Sequence, residues 1–242
     1  MTCEPATSQY PPKSQRGFYG LALPAVASLT SIDPNLLSST FNTKGLSNET
    51  HRLLQYLDLS SKANLGQESA DHDFAREILR ALGYEERDFL LRTRYTILLS
   101  ISGDPNRSVQ TSVCLVHGSS SAVVIPVVQT TVDPDPQVVA SAIAAFQYNN
   151  WIRARLGQEE LESAIIPCIA IIGTRLIFYF VPITEELSQA VPAGQYPIPT
   201  TLVRKCVAVS DSGRLNEGME SLDFRRVAVQ HYITFHIHAM CF

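Results

Sequence analysis

The stretch RYTILLSISGDPNRSVQTSVCLVHGSSSAVVIPVVQTTVDPDPQVVASAIAAFQYNNWIRARL runs from Arg94 to Leu156, and its reading decides the fold. Tyr95, Ile97, Leu99 and Ile101 alternate with Thr96, Ser100 and Ser102, the period-two pattern of a half-buried strand. The segment Gly103-Asp104-Pro105-Asn106 reads as a turn, after which Val109, Thr111, Val113 and Leu115 define a second strand. A Gly118–Ser121 turn leads to a third apolar run, Ala122–Gln129. Pro126 removes a ladder donor from that run and predicts a bulge or a partly unpaired strand. Asp133-Pro134-Asp135-Pro136 then opens a long helix that Gly157 ends. Val139, Ile143 and Phe146 mark its core face, and Asn150 sits at the edge of that face, where burial would require hydrogen bonds. From Val109 to Val132 there is no Asp, Glu, Lys or Arg.

Upstream, Asp71 or Asp73 is positioned to cap a helix carrying Phe74, Ile78 and Ala81, with Gly83 as its stop and Glu77 at the edge of its stripe. Ser47 is positioned to cap an earlier helix through Leu53, Leu54 and Leu57. Downstream, apolar runs at Ile165–Ile172 and Leu176–Ile183 flank Gly173-Thr174-Arg175, a hairpin pattern. A helical turn at Glu185–Val191, a strand within Leu202–Val209 and a terminal helix within Met219–Phe242 complete the chain, with Leu222, Val227 and Tyr232 as its expected buried residues. The division expected is a polar, Pro-rich tail at 1–16, an arm with a helix packed on the core at 17–64, and one domain at 65–242. The fold class expected is α/β: an α-β-β-β-α-β core with a mixed central sheet flanked by helices.

With 45% hydrophobic and 17% charged residues, 242 residues can bury a sizeable core. A net charge of −4 argues against strong, sequence-independent nucleic-acid binding, which needs clustered cations to neutralise phosphates; any such binding is expected to be weak and salt-dependent. The five cysteines are scattered without a paired spacing, which reads as small core residues in a reducing compartment, cytoplasmic or nuclear. The apolar run Phe18–Leu29 follows Lys13 and Arg16 but is interrupted by Gly20 and Pro24, a poor match to a secretory leader. No run approaches the ~20 apolar residues of a membrane span, so no membrane partner is expected. His231, His236 and His238 cluster in sequence, but a helix separates them too far for one metal.

The element order, together with Phe74-Ala75-Arg76, Leu82-Gly83-Tyr84, Arg92-Thr93-Arg94, the Asp-Pro repeat at 133–136, Ala144-Ala145-Phe146-Gln147-Tyr148-Asn149-Asn150 and Gly173-Thr174, resembles the fungal-type PD-(D/E)XK nuclease-like domain family, of the restriction-endonuclease-like fold. The resemblance covers about Leu65 to the C-terminus. It implies cleft positions at Glu77, Ser112, Thr130, Val132 and Gln147. In that family an acid stands where this chain has Ser112, a second acid where it has Thr130, and a lysine where it has Val132. Gln147 with Trp151 resembles the Q-x-x-x-Y element of some nucleases of this fold. Mg²⁺ needs anionic oxygen ligands, and hydroxyls on Ser112 and Thr130 do not supply two charges. The expectation is therefore a catalytically degenerate domain, a pseudoenzyme acting as a binding or accessory protein without a cofactor, its partner a protein or a nucleic acid. The alternative is an enzyme using the remodelled cleft. It would be either a Mg²⁺-dependent nuclease whose carboxylates have migrated to Asp133 and Asp135, or an accessory step in a fungal metabolic pathway.

Overall fold

The structure is a computed structural model and describes residues 33–38, 45–62, 68–130, 132–210 and 217–240. The expected tail at 1–16 and residues 17–32 of the arm lie outside the described residues. The elements, in chain order, are α1 (Pro34–Ser38), α2 (Asn48–Ser61), α3 (Glu68–Ala81), β1 (Phe89–Ile101), β2 (Asp104–His117), β3 (Val123–Gln129), α4 (Asp135–Arg155), β4 (Ser163–Ile172), β5 (Arg175–Thr184), α5 (Glu185–Ala193), β6 (Arg204–Val207) and α6 (Leu222–Ala239). The six strands form one sheet whose spatial order is the chain order, β1 to β6. Every neighbouring pair is antiparallel except β3–β4, which α4 joins as a crossover. The α/β class and the mixed sheet expected from sequence are what the structure shows.

Helices cover both faces. On one face α1, α2, α3 and α6 pack Leu37, Leu54, Phe74, Ile78, Phe224 and Tyr232 against Val113, Ile125, Val127 and Phe178. On the other face α4 and α5 cover Ile97, Cys114, Val128, Cys168 and Val181. Side chains as fully buried as Phe74 and Ile78 contribute about 1.5–3 kcal/mol each on leaving water. Leu53, Leu54 and Leu57 of α2 belong to the first cluster, so this part of the arm is built into the core.

Local chemistry explains most of the boundaries. Ser47 caps α2 through an oxygen that accepts from the Thr50 amide, as expected. The β1–β2 turn differs from its expectation. It is the two-residue pair Ser102-Gly103, with φ of 49° and 79°, and Asp104 already pairs with Ile101. Two residues with positive φ give the turn whose twist matches that of a hairpin, whereas Asp104-Pro105-Asn106 continue as strand. The α3 helix begins at Glu68, ahead of both proposed caps, and Asp71 instead accepts from the Ser60 hydroxyl at 2.6 Å. Its buried face is Phe74, Ala75, Ile78 and Leu79, wider than the stripe read from sequence, and Ala81 is exposed. Pro126 sits opposite Cys114, and the parallel ladder to β4 begins only at Val127, so the missing donor falls outside that ladder. The register of β2 against β3 shifts between Leu115 and Val116, the expected bulge. Asn150 is buried and is satisfied on both sides: Nδ2 donates to the Leu161 carbonyl at 3.0 Å and Oδ1 accepts from the Leu161 amide at 2.9 Å.

In α6, Leu222 and Val227 are half-buried, and the core face is Phe224, Ala228, Val229, Tyr232, Phe235 and Ala239. No helix among the described residues is long and apolar enough to cross a membrane.

Candidate functional site

The five positions aligned with the nuclease motif are distributed over both faces of the sheet. Glu77 lies in α3, on the first face, with its side chain 11% exposed. Its Oε2 accepts from Arg52 Nε at 2.9 Å and has an Arg80 guanidinium nitrogen 3.7 Å away. The carboxylate is thus already answered by two cations.

Ser112 is buried in β2, and its Oγ accepts from the Gln129 amide at 3.0 Å. The β2–β3 ladder runs only as far as Val113 opposite Val127. The hydroxyl takes up a backbone donor just past that ladder, which explains a polar residue at this buried point. Thr130 follows β3. Its amide donates to the Ile171 carbonyl at 3.2 Å, and its hydroxyl accepts from the Val132 amide at 3.2 Å. Val132 is 70% exposed, so a lysine there would be solvated. Ser112 is bonded to the backbone of Gln129, the residue before Thr130. Among the described residues, no hydrogen bond or ion pair joins Glu77 to either of them.

Gln147 lies in α4, on the other face. Its Oε1 accepts from the Ser100 amide at 3.0 Å, and its Nε2 donates to the carbonyls of Ser100 at 3.4 Å and Ser188 at 3.3 Å. It clamps the end of β1 to α5. Trp151, four residues on, is 51% exposed. The side chains of this suggested pair part company, one inward and one outward.

The acids considered as replacements also have structural partners. Asp133 Oδ1 accepts from the Asp135 amide at 3.1 Å, the turn role read from sequence. Asp135 does not cap α4. Its Oδ1 accepts from the Tyr179 hydroxyl and from Lys205 Nζ, each at 2.7 Å. Burial pushes the Asp135 carboxyl up, but Lys205 and Tyr179 outweigh it and hold the group below its ordinary range.

The histidines serve α6 separately. His231 is buried; its Nδ1 donates to the Val227 carbonyl at 2.8 Å, and burial lowers its pKa. His236 stacks on Tyr84 with ring centroids 4.2 Å apart. Cys114 and Cys168 are buried, and burial pushes both thiols well up, so they stay protonated and unreactive. Among the described residues, no group of three or more His, Cys, Asp or Glu side chains is arranged to hold a metal ion.

Two features escape sequence reading. Gln129 is the first: both amide atoms are buried without a hydrogen-bond partner among the described residues. The second is a row of side chains on the α4 face. Arg92 lies over the Tyr95 ring, 5.5 Å from its centroid, and the Tyr95 hydroxyl meets that of Tyr148 at 3.3 Å. Tyr148 stacks on Trp151 at 5.8 Å, and Arg155 lies over Trp151 at 4.7 Å. The spacing Tyr148, Trp151, Arg155 places all three along one side of α4, a signal that the sequence does contain. The β1 half of the row depends on Arg94, which has a φ of 49° inside the strand. Leu91 packs on the first face, whereas Ile97 and Leu99 pack on the other, although unbroken alternation would put all three on one side. The face changes across Arg94, and the change sets Arg92 beside Tyr95. A non-glycine residue in that conformation costs roughly 1–2 kcal/mol.

No protein-family model matches the chain, and no curated protein matches it.

The Ser112–Gln129 pair gives a direct test of these local roles. Ser112→Ala should destabilise the chain by about 1–3 kcal/mol, because it orphans the Gln129 amide. Gln129→Met should do the reverse and stabilise by about 1 kcal/mol, since it removes a buried amide that has no partner. Urea midpoints at constant slope measure both; a neutral Ser112→Ala would show that the hydroxyl is not needed there.

Proposed function

We propose that this chain is a non-catalytic member of the nuclease-like superfamily that keeps the α/β scaffold and uses it for binding, as a partner or accessory protein in the cytoplasm or nucleus. The observation that carries this reading is the state of the aligned positions. Glu77 is occupied by Arg52 and Arg80, and the Ser112 hydroxyl is occupied by a backbone amide. Thr130 and Val132 add neither an anion nor an ammonium beside them. A hard divalent ion held between carboxylates, and a cation to answer charge on a phosphate, both lack their side chains here. Asp133 and Asp135, the migrated alternative, are committed to a turn and to Lys205. Binding to nucleic acid, if it occurs, is weak and falls steeply with salt, as the net acidic charge requires.

The test is a repair series read by two methods. Purified wild-type chain with Mg²⁺ or Mn²⁺ should leave plasmid and oligonucleotide substrates intact. Ser112→Asp, Thr130→Glu and Val132→Lys combined should create divalent-metal binding visible by calorimetry. Ser112→Asp alone should cost about 1–3 kcal/mol of stability, because it buries a charge with no cation beside it. Val132→Lys alone should be neutral. Metal-dependent cleavage by the wild type that is lost in Asp133→Asn with Asp135→Asn would overturn the non-catalytic reading in favour of a migrated site.

A further inference from the structure

The row Arg92–Tyr95–Tyr148–Trp151–Arg155 shares only Trp151 with the residues that the nuclease resemblance singles out, and it invites its own explanation. It joins three aromatic rings to two guanidinium groups. Neither Arg92 nor Arg155 has a carboxylate within ion-pair distance among the described residues, although the chain as a whole carries a net charge of −4. In an acidic protein, arginines left unpaired beside an exposed tryptophan are placed against the prevailing charge. Tyr, Trp and Arg are also the residue types that dominate binding energy at protein interfaces, because they offer large rigid area at small entropic cost.

The row is ordered in advance of any partner. Tyr148 comes from the turn before Trp151 and Arg155 from the turn after it, and both lie against the indole. The Tyr95–Tyr148 hydroxyl contact ties the helix to the strand, and the positive φ at Arg94 holds Arg92 over Tyr95. Among the described residues β1 is an edge strand, so this surface runs to the open side of the sheet.

We propose that the row is a docking site for an acidic segment of a partner protein. Carboxylates of the segment pair with Arg92 and Arg155 at the two ends, and an apolar side chain between them lies over Tyr148 and Trp151. The charge pattern favours this occupant over a nucleic acid. A polyanionic strand must be tracked by cations along its length; here the cations stand at two ends, and the rest of the chain is more acidic than the row. The inference goes beyond the non-catalytic reading and stands or falls independently of whether the chain cleaves nucleic acid.

The experiment is selection from a displayed library of random 12-residue peptides on the full chain, followed by synthesis of the enriched peptides without tryptophan. Trp151 is the only tryptophan, so its emission reports engagement of the row directly. Enriched peptides should be net acidic with at least one apolar residue, should shift or quench Trp151 emission, and should weaken with added salt. Arg92→Gln and Arg155→Gln should each reduce affinity by about ten-fold, read by anisotropy of labelled peptide, with thermal unfolding unchanged. Trp151→Leu, at an exposed position, should lose binding in the same assay. Failure to enrich any sequence, enrichment of peptides without acidic residues, or binding that survives all three variants would overturn the proposal. Oligothymidylate that displaces the peptides at lower concentration and depends on the same three residues would overturn it in favour of a nucleic-acid site.

Discussion

In reducing buffer the urea midpoint should be flat from pH 7 to about 8.5, fall from pH 9 and fall faster above pH 10. Four almost fully buried acids dominate this; the raised Tyr95 phenol, far more exposed, adds less. Burial raises the Cys114 and Cys168 thiols and the Tyr84 and Tyr232 phenols well above their ordinary values, so the folded chain keeps all four protonated. The unfolded chain releases the thiol protons near pH 8.5 and the phenol protons near pH 10. Above those values the unfolded state binds fewer protons than the folded state, and stability falls as pH rises by about 1.4 kcal/mol per unit for each group. Two thiols give about 2.7 kcal/mol per unit from pH 9, and two phenols double that above pH 10. Arg225 opposes them, since burial pushes its guanidinium down to about 10. It returns about 1.4 kcal/mol per unit between that value and its unfolded value. The net loss near pH 11 is about 4 kcal/mol per unit, large against a typical stability of 5–15 kcal/mol. Cys114→Ala with Cys168→Ala should remove the part of the slope that begins at pH 9. A midpoint unchanged up to pH 11 would mean that these side chains are reached by water in the folded state.

The second large effect is expected at Arg225. Its side chain is buried in α6, with Nε donating to the Met219 carbonyl at 2.8 Å and a guanidinium nitrogen donating to the Leu36 carbonyl at 3.1 Å. It ties α1 and the segment before α6 to the helix. Arg225→Met keeps much of the volume but leaves two carbonyl oxygens without these donors, at about 1–3 kcal/mol each. The loss should be about 3 kcal/mol after the cost of burying the charge is recovered. Arg225→Lys should recover little, because one ammonium cannot reproduce the planar fork. Chemical denaturation measures both; a neutral Arg225→Met would show that water or a backbone shift satisfies the two carbonyls.

The fold was legible where one period dominated. Strands β1 to β5 and the crossover helix follow from alternation and from turn residues, because a one-residue error would turn every apolar side chain outward. Legibility failed where a single backbone angle decided the matter. Ser102-Gly103 outcompeted the more turn-like Asp-Pro-Asn because twist selects positive φ, and Arg94 switched faces with no signal in its neighbours. The start of α3 failed for a related reason: several acids stand near it, and composition does not choose among them. The candidate site was legible only as positions. Sequence places Ser112 and Thr130 on neighbouring strands; Ser112 bonds to the backbone of Gln129, and Thr130 lies just past the end of β3. It did not foresee that Gln147 would be spent as a clamp on the opposite face from Glu77, because partners contributed by Ser100 and Ser188 are distant in the chain. Trp151 was noticed for its spacing from Gln147, whereas its contacts are with Tyr148 and Arg155.

The kink at Arg94 bears on how this chain avoids polymerising. The charge-free span from Val109 to Val132 is rich in β-formers and is the segment most able to stack into fibrils if it were exposed. Its two strands are interior to the sheet: β1 lies on one side of β2, and β4 lies on the far side of β3. The protection then depends on β1 not recruiting a strand from another molecule. A residue in the left-handed conformation at its centre breaks the straight row of donors and acceptors that a passing strand would need, and the exposed Arg92 and Arg94 repel a second copy of the same edge. At the other edge, β6 has only four residues and carries Arg204 and Lys205. The strained arginine thus works as a gatekeeper: it ends the growth of the sheet where the sequence alone would have let it continue.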